Sequence, residues 1–172
     1  MRSSLLGLAF ILGCAAPPLP SSNPVVIEST VEGYKLSFEM PKSTWRVDEV
    51  IRGQATLSLE GEGSTTLSGS GSTVFSFAFA SAVLRMDPVQ TADCARYVIG
   101  ADMPIMSEIR KSGAFDPNDP NYPFYDRWFH DPELHLPPGE WRIFATAVFY
   151  EGSECAGRRR LLTTSAAITV VE

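Results

Sequence analysis

From Trp141 to Phe149 the side chains alternate without a break. Trp141, Ile143, Ala145, Ala147 and Phe149 fall on one side and Arg142, Phe144, Thr146 and Val148 on the other. Successive side chains of a strand point to opposite faces, so this period of two reads as one long, half-buried strand. The same alternation recurs along the chain. Residues 34–40 put Tyr34, Leu36, Phe38 and Met40 inward, and residues 51–59 do the same with Ile51, Ala55, Leu57 and Leu59. Phe75, Phe77 and Phe79 share a face over 74–79, with 82–86 continuing after a bend. Residues 161–171 return as a last strand with Ala166, Ile168 and Val170 inward. Ser, Thr and Gly are abundant and long amphipathic helical stretches are missing, which points to an all-β sandwich.

Parity makes a specific claim about the core. Trp141, Ile143, Phe38, Leu57, Phe75, Phe77 and Ile168 should be buried together, with Arg142, Thr146, Lys35 and Thr56 facing the other way. A slip of one residue would invert every one of them. Shorter segments are less clear. Residues 65–67 read as a short edge strand and 68–72 as a flexible Gly/Ser loop. Residues 97–99, 108–111 and 134–136 each read as a short strand. Residues 121–130 read as one helix, capped by Asn121 or Tyr122, with Pro123 in its first turn and Asp131-Pro132 ending it. Its aromatic residues suit a plug over an open end of the sandwich.

The N-terminus carries an address. Met1-Arg2 is followed by an apolar run from Leu5 to Leu12 that closes on Gly13-Cys14. The run is too short to span a bilayer core of about 30 Å, which takes roughly 20 helical residues. Ile11-Leu12-Gly13-Cys14 resembles a bacterial lipobox. The resemblance implies export, cleavage before Cys14 and a lipid on that sulfur. Ordinary cleavage after Ala16 is the rival; it would put Pro17 just past the cut and leave Cys14 without a role. The expected organisation is a signal peptide over 1–13, a Pro/Ser-rich tether over 14–30 and one domain over 31–172. Removing residues 1–13 leaves 159 residues (172 − 13), within the range of one domain with a real core. The formal charge of −6 becomes −7 once Arg2 is lost, and an acidic domain repels nucleic acid.

With Cys14 acylated, Cys94 and Cys155 remain as an even pair in an oxidising compartment, both in polar, turn-like surroundings. They are expected to form a disulfide. Closing a loop of about 60 residues stabilises by roughly 4 kcal/mol on the loop-entropy model.

From Leu136-Pro-Pro-Gly-Glu-Trp141 to Val171 the chain resembles bacterial immunoglobulin-like modules, as does the opening Trp45-Arg-Val-Asp-Glu-Val50. The resemblance implies an immunoglobulin-like antiparallel β-sandwich, here with one short helix near 122–130. The bacterial intracellular proteinase inhibitor family shares this general layout. The whole chain is also similar to uncharacterised lipoproteins of environmental bacteria, which implies no activity.

Candidate chemistry is thin. Ser68-Gly-Ser-Gly-Ser72 lacks the Gly-x-Ser-x-Gly spacing of a nucleophile elbow. His130 and His135 could approach one metal with Asp126, Asp131 or Glu133, but zinc sites show tighter spacing and three or four ligands. Residues 116–121 are oxygen-rich, yet two prolines suit a series of Asp/Asn turns better than a calcium loop. Met103 and Met106 are thioethers without the free Cys and His that a copper site needs. Arg158-Arg-Arg160 reads as a solvated hairpin limb or an anion-binding patch. Phe144 and Tyr150 fall on the outward face of the long strand, to be covered by the helix or by a partner. The expected role is non-catalytic and without cofactors: a lipid-anchored module that binds or scaffolds at the extracytoplasmic face of a bacterial membrane. Its candidate partners are another envelope protein or a glycan. The alternative is a proteinase inhibitor presenting an exposed loop at 61–72 or 101–121.

Overall fold

The computed structural model describes residues 23–113 and 116–172. The signal peptide expected over 1–13, Cys14 with its expected lipid, and the tether as far as residue 22 lie outside the described residues.

The chain forms an immunoglobulin-like β-sandwich of two sheets with one short helix. Its strands are β1 (Val25–Val31), β2 (Tyr34–Met40), β3 (Thr44–Arg46), β4 (Gln54–Leu59), β5 (Ser64–Gly69), β6 (Phe75–Ala80), β7 (Arg85–Met86), β8 (Ala95–Gly100), β9 (Ile105–Glu108), β10 (Gly139–Glu151) and β11 (Arg159–Val171); the helix α1 is Tyr122–His130. One sheet has the order β1-β2-β4-β9 and the other β3-β11-β10-β5-β8, with β6 also on β10 and β7 on β6. All pairs are antiparallel except β3 with β11. After β2 the chain crosses at Pro41–Ser43 to the second sheet, where β3 lies along the end of β11.

The expected core is present. Trp141, Ile143, Phe38, Leu57, Phe75, Phe77 and Ile168 all belong to one buried cluster. Phe38 and Phe77 meet across the two sheets with ring centroids 6.1 Å apart. Arg142 is exposed, and Lys35, Thr56 and Thr146 are partly exposed on the outer faces. Each large side chain fully buried here contributes about 1.5–3 kcal/mol, which is what drives the two sheets together.

Several local expectations are corrected. The domain starts earlier than residue 31. Val25–Val31 pairs residue by residue with β2, and Val25 and Ile27 pack against the core. Glu32 and Gly33 close this hairpin with φ of 48° and 84°. A two-residue turn with both central residues left-handed follows the twist of the strands, and glycine takes that conformation without steric cost. Residues 65–67 are not on an edge: β5 lies between β10 and β8. Nor is 68–72 a free loop, because Ser68 and Gly69 complete β5 and Ser68 and Ser70 are buried. Strands β5 and β6 behave as one strand interrupted at 70–74. β5 meets Tyr150 and Glu151, β6 meets Arg142–Ala147, and the Val148 N–H donates to the Val74 carbonyl between them (2.9 Å). β8 and β7 form the matching return. The strand expected at 108–111 is β9, displaced to Ile105–Glu108. Leu134 and Leu136 are buried, but residues 134–136 are irregular, with the carbonyls of Leu134 and His135 serving other partners. The Leu134 carbonyl accepts from the Ile51 N–H (2.8 Å) and the His135 carbonyl from the Trp128 indole (2.9 Å).

Helix α1 has the expected bounds, with Pro123 in its first turn, although Asn121 makes no side-chain cap. Its Trp128 packs edge-on against Phe79 (5.5 Å) and its Tyr125 hydroxyl donates to the Arg85 carbonyl (3.2 Å). Lys111 fastens the helix end. Its ammonium donates to the carbonyls of Trp128 (2.5 Å), Glu133 (2.5 Å) and Asp131 and lies over the Trp128 ring. Burial lowers the Lys111 pKa, partly offset by Asp131.

Candidate functional site

Cys94 and Cys155 form a disulfide with Cα atoms 6.1 Å apart, inside the range a disulfide needs, ~4.4–6.8 Å. It ties the segment before β8 to the turn of the β10–β11 hairpin. One further contact holds Cys155, in an uncommon backbone conformation. Its N–H donates to the buried Ser68 hydroxyl (2.8 Å), and its φ of 51° is unusual for a residue with a side chain. The neighbouring loop is polar and closely braced. Ser70 shares a hydrogen bond with Thr91 (2.7 Å), and the Tyr97 hydroxyl donates to the Ser70 carbonyl (2.6 Å). The Gly71 N–H donates to Asp93 (3.2 Å), and a Cβ on Gly71 would collide with that carboxylate. The Thr91 hydroxyl, then the Gly71 N–H, hold the Asp93 carboxyl below its usual range. Of the two stretches expected to offer an inhibitory loop, 61–72 is half strand, since β5 takes Ser64–Gly69, and its residues 70 and 71 are braced by these contacts. The serines of 68–72 also have no histidine beside them. Ser68 faces Tyr150 near one end of the sandwich, whereas His130 and His135 belong to the cap at the other.

The two histidines have separate partners. His130 Nδ1–H donates to the Asp126 carbonyl (2.7 Å), and His135 Nδ1–H donates to Asp131 Oδ2 (2.8 Å). The His135 contact, followed by the Glu133 N–H, lowers the Asp131 pKa. Among the described residues no group of three or more His, Cys, Asp or Glu is placed to hold a metal ion. In the oxygen-rich stretch, Asp116 Oδ1 accepts from the Asn118 N–H (2.8 Å) and side-chain amide (2.9 Å). Asp119 Oδ1 accepts from the Asn121 N–H (2.7 Å). These are Asx turns, with the carboxylates turned onto their own backbone. Met103 and Met106 are exposed around the β8–β9 turn.

The arginine run is a solvated limb only in part: Arg158 and Arg159 are exposed, and Arg160 turns inward. Arg160 is buried. It binds Glu151 Oε1 through Nε (2.9 Å) and Nη2 (2.6 Å), and pairs with Glu32 through Nη1. Arg158 Nη2 reaches the other oxygen of Glu32 at 2.8 Å. The left-handed turn at Glu32 thus aims its carboxylate at β11, and two arginines join the sheets. Tyr34 lies beside this group; burial, then the Glu151 charge, raises its pKa.

Two of the concave surfaces among the described residues bear on binding. A cleft of about 480 Å³ lies at the end of the first sheet. Glu39, Gln54 and Glu108 form a row across β2, β4 and β9 at its edge, with Arg52 and Glu133 at its rim. A Cβ on Gly53 would sit 3.0 Å from the Glu39 carbonyl, so the wall depends on that glycine. The row is invisible in sequence because each member is one polar residue on a separate strand. The second surface is a shallow depression of about 340 Å³ on the outer face of the other sheet, where half-buried Phe144 is ringed by Ala80, Ala82, Glu140, Arg142 and Ala167. Helix α1 does not cover Phe144. It seats on Phe79, which faces inward beside Ile143, whereas Phe144 points the opposite way beside Ala78. Comparison with protein-family models, with curated proteins and with solved structures found no match.

Proposed function

We propose that the chain is a non-catalytic, lipid-anchored module that binds or scaffolds at the extracytoplasmic face of a bacterial membrane. One observation carries the reading. Cys94 and Cys155 are bonded to each other, so of three cysteines only Cys14 is left over, and it stands where an apolar N-terminal run ends in Gly13-Cys14. A disulfide belongs to an oxidising compartment, and a lone cysteine behind such a run suits lipid attachment. The depression around Phe144 is the contact surface this reading favours. It is an aromatic platform with Glu140 and Arg142 at its edge, suited to a protein segment or a glycan. Cell fractionation of Cys14→Ser tests the anchor: the variant should leave the membrane fraction or accumulate unprocessed. Unchanged retention together with unchanged processing would overturn the reading.

A further inference from the structure

The tether meets the sandwich at a defined end. Val25 opens β1 opposite Met40, the last residue of β2. At this end β3 and β11 finish side by side, with the Val47 N–H on the Val171 carbonyl (2.8 Å), and β10 begins at Gly139 opposite Val170. The β6–β7 turn emerges there too, since Ala80 lies opposite Arg142. The far end holds the Glu32–Arg158 contact and the disulfide-braced hairpin turn.

Four apolar side chains face solvent at the tether end: Val26 (53% exposed), Val47 (39%), Val171 (41%) and Val83 (83%). Val83 is the most exposed large apolar side chain among the described residues. It is held on a built turn. The Ser81 hydroxyl accepts from the N–H groups of Val83 (3.3 Å) and Leu84 (3.0 Å), and the Ser81 N–H donates to the Leu84 carbonyl (2.8 Å). The ordering cost of presenting Val83 is thus already met in the fold. Nearby cations are matched by acids: Lys42 by Glu49 (2.6 Å), Arg46 by Asp48 (3.3 Å) and Arg85 by Asp87 (2.9 Å). These three pairs cancel, while Glu39 opposite Val26 and Glu108 and Glu133 of the adjoining cleft leave this end acidic, so it suits a zwitterionic rather than an anionic surface.

We propose that this end of the sandwich is a lipid-contacting face, with the Val83 turn seated among membrane headgroups. The proposal rests on the anchor at Cys14. Reach favours this end over the other. Eleven steps from Cys14 to Val25 span at most about 40 Å fully extended, and the 13 residues of β10 measure about 43 Å at ~3.3 Å per residue. To set the far end on the bilayer, the tether would have to run back along the whole domain.

Tryptophan quenching tests it on the full-length protein, extracted from membranes and reconstituted into phosphatidylcholine vesicles with brominated acyl chains. The native Trp45, Trp128 and Trp141 are buried, so an introduced tryptophan reports its own position. Val83→Trp should lose much of its added fluorescence relative to unbrominated vesicles. Met103→Trp, at the far end, should lose none. Val47→Trp, at the same end and outside the Phe144 depression, replaces Val83→Trp if the latter melts early. Equal quenching at both ends, or none at 83, in protein whose mass shows an acylated Cys14 overturns the lipid-contacting face and leaves the anchor standing. A bare Cys14 with no quenching at 83 overturns both. Quenching at 83 with a bare Cys14 supports the face and overturns the anchor.

Discussion

Trp141 occupies the first inward position of β10, and its indole N–H donates to the Pro137 carbonyl at 2.8 Å. Truncation to alanine removes the ring, leaves a cavity and orphans that carbonyl. Trp141→Ala should therefore cost roughly 3–5 kcal/mol, read as a lower urea midpoint at unchanged slope. An unchanged midpoint would mean that the ring is not where the core needs it. This residue was legible because parity alone sends it inward. Arg160 was not. It has the right parity for burial, yet a charged side chain is normally placed outside. What admits it is two carboxylates, one from the left-handed turn at Glu32 and one from Glu151. Sequence shows Glu151 as a neighbour across a hairpin, but nothing local to Arg160 shows Glu32, which lies on the other sheet.

Strands β2, β10 and β11 could be read because each buries one face and leaves the other wet, which writes a period of two into the chain. The β5–β6 strand hid for the opposite reason. Its Ser68-Gly69-Ser70 has the composition of a loop, but its small side chains are set by distant parts of the chain. Ser68 takes the Cys155 N–H, and Gly69 lets Val74 and the Val148 carbonyl approach to within 3.3 Å of where a Cβ would stand. Those partners lie up to 87 residues away. The disulfide closes this same assembly, joining the segment before β8 to the hairpin turn beside β5 with a sequence separation of 61. Reduction should remove roughly 4 kcal/mol of loop-closure stabilisation. A thermal melt with and without dithiothreitol checks it, and two alkylatable thiols in the unreduced protein would contradict the bond. Loosening should be greatest in β5 and β8 and least in β2 and β4, which hydrogen exchange can separate.

The class of the molecule was legible at the scale of the whole chain: strand pattern, one helix and a paired pair of cysteines define a stapled sandwich. Its surfaces were not, since the Glu39–Gln54–Glu108 row and the Phe144 depression exist only once separate strands lie side by side. The same holds for the loops, whose carboxylates are spent on local contacts. Glu49 is lowered from 4.5 by the Lys42 ammonium and then the Arg46 N–H, Asp131 from 3.8 by His135 and then the Glu133 N–H, and Asp93 from 3.8 by Thr91 and then the Gly71 N–H. A depressed folded pKa means that the unfolded chain binds the proton more readily. The stabilisation is complete above the unfolded values of 4.5 and 3.8 and disappears as pH falls through the lower folded ones. Stability against urea should therefore be level from neutral pH to about 5 and decline below about 4, where these groups titrate. The three carboxylates sit in three different loops, at the β3–β4 turn, in the cap after α1 and beside the disulfide. Acid should accordingly loosen the rim of the sandwich before its core. Amides in those loops should exchange faster at pH 3 while those of β10 and β11 stay protected. Simultaneous loss of loop and core protection would show instead that the loops and the sheets unfold as one unit.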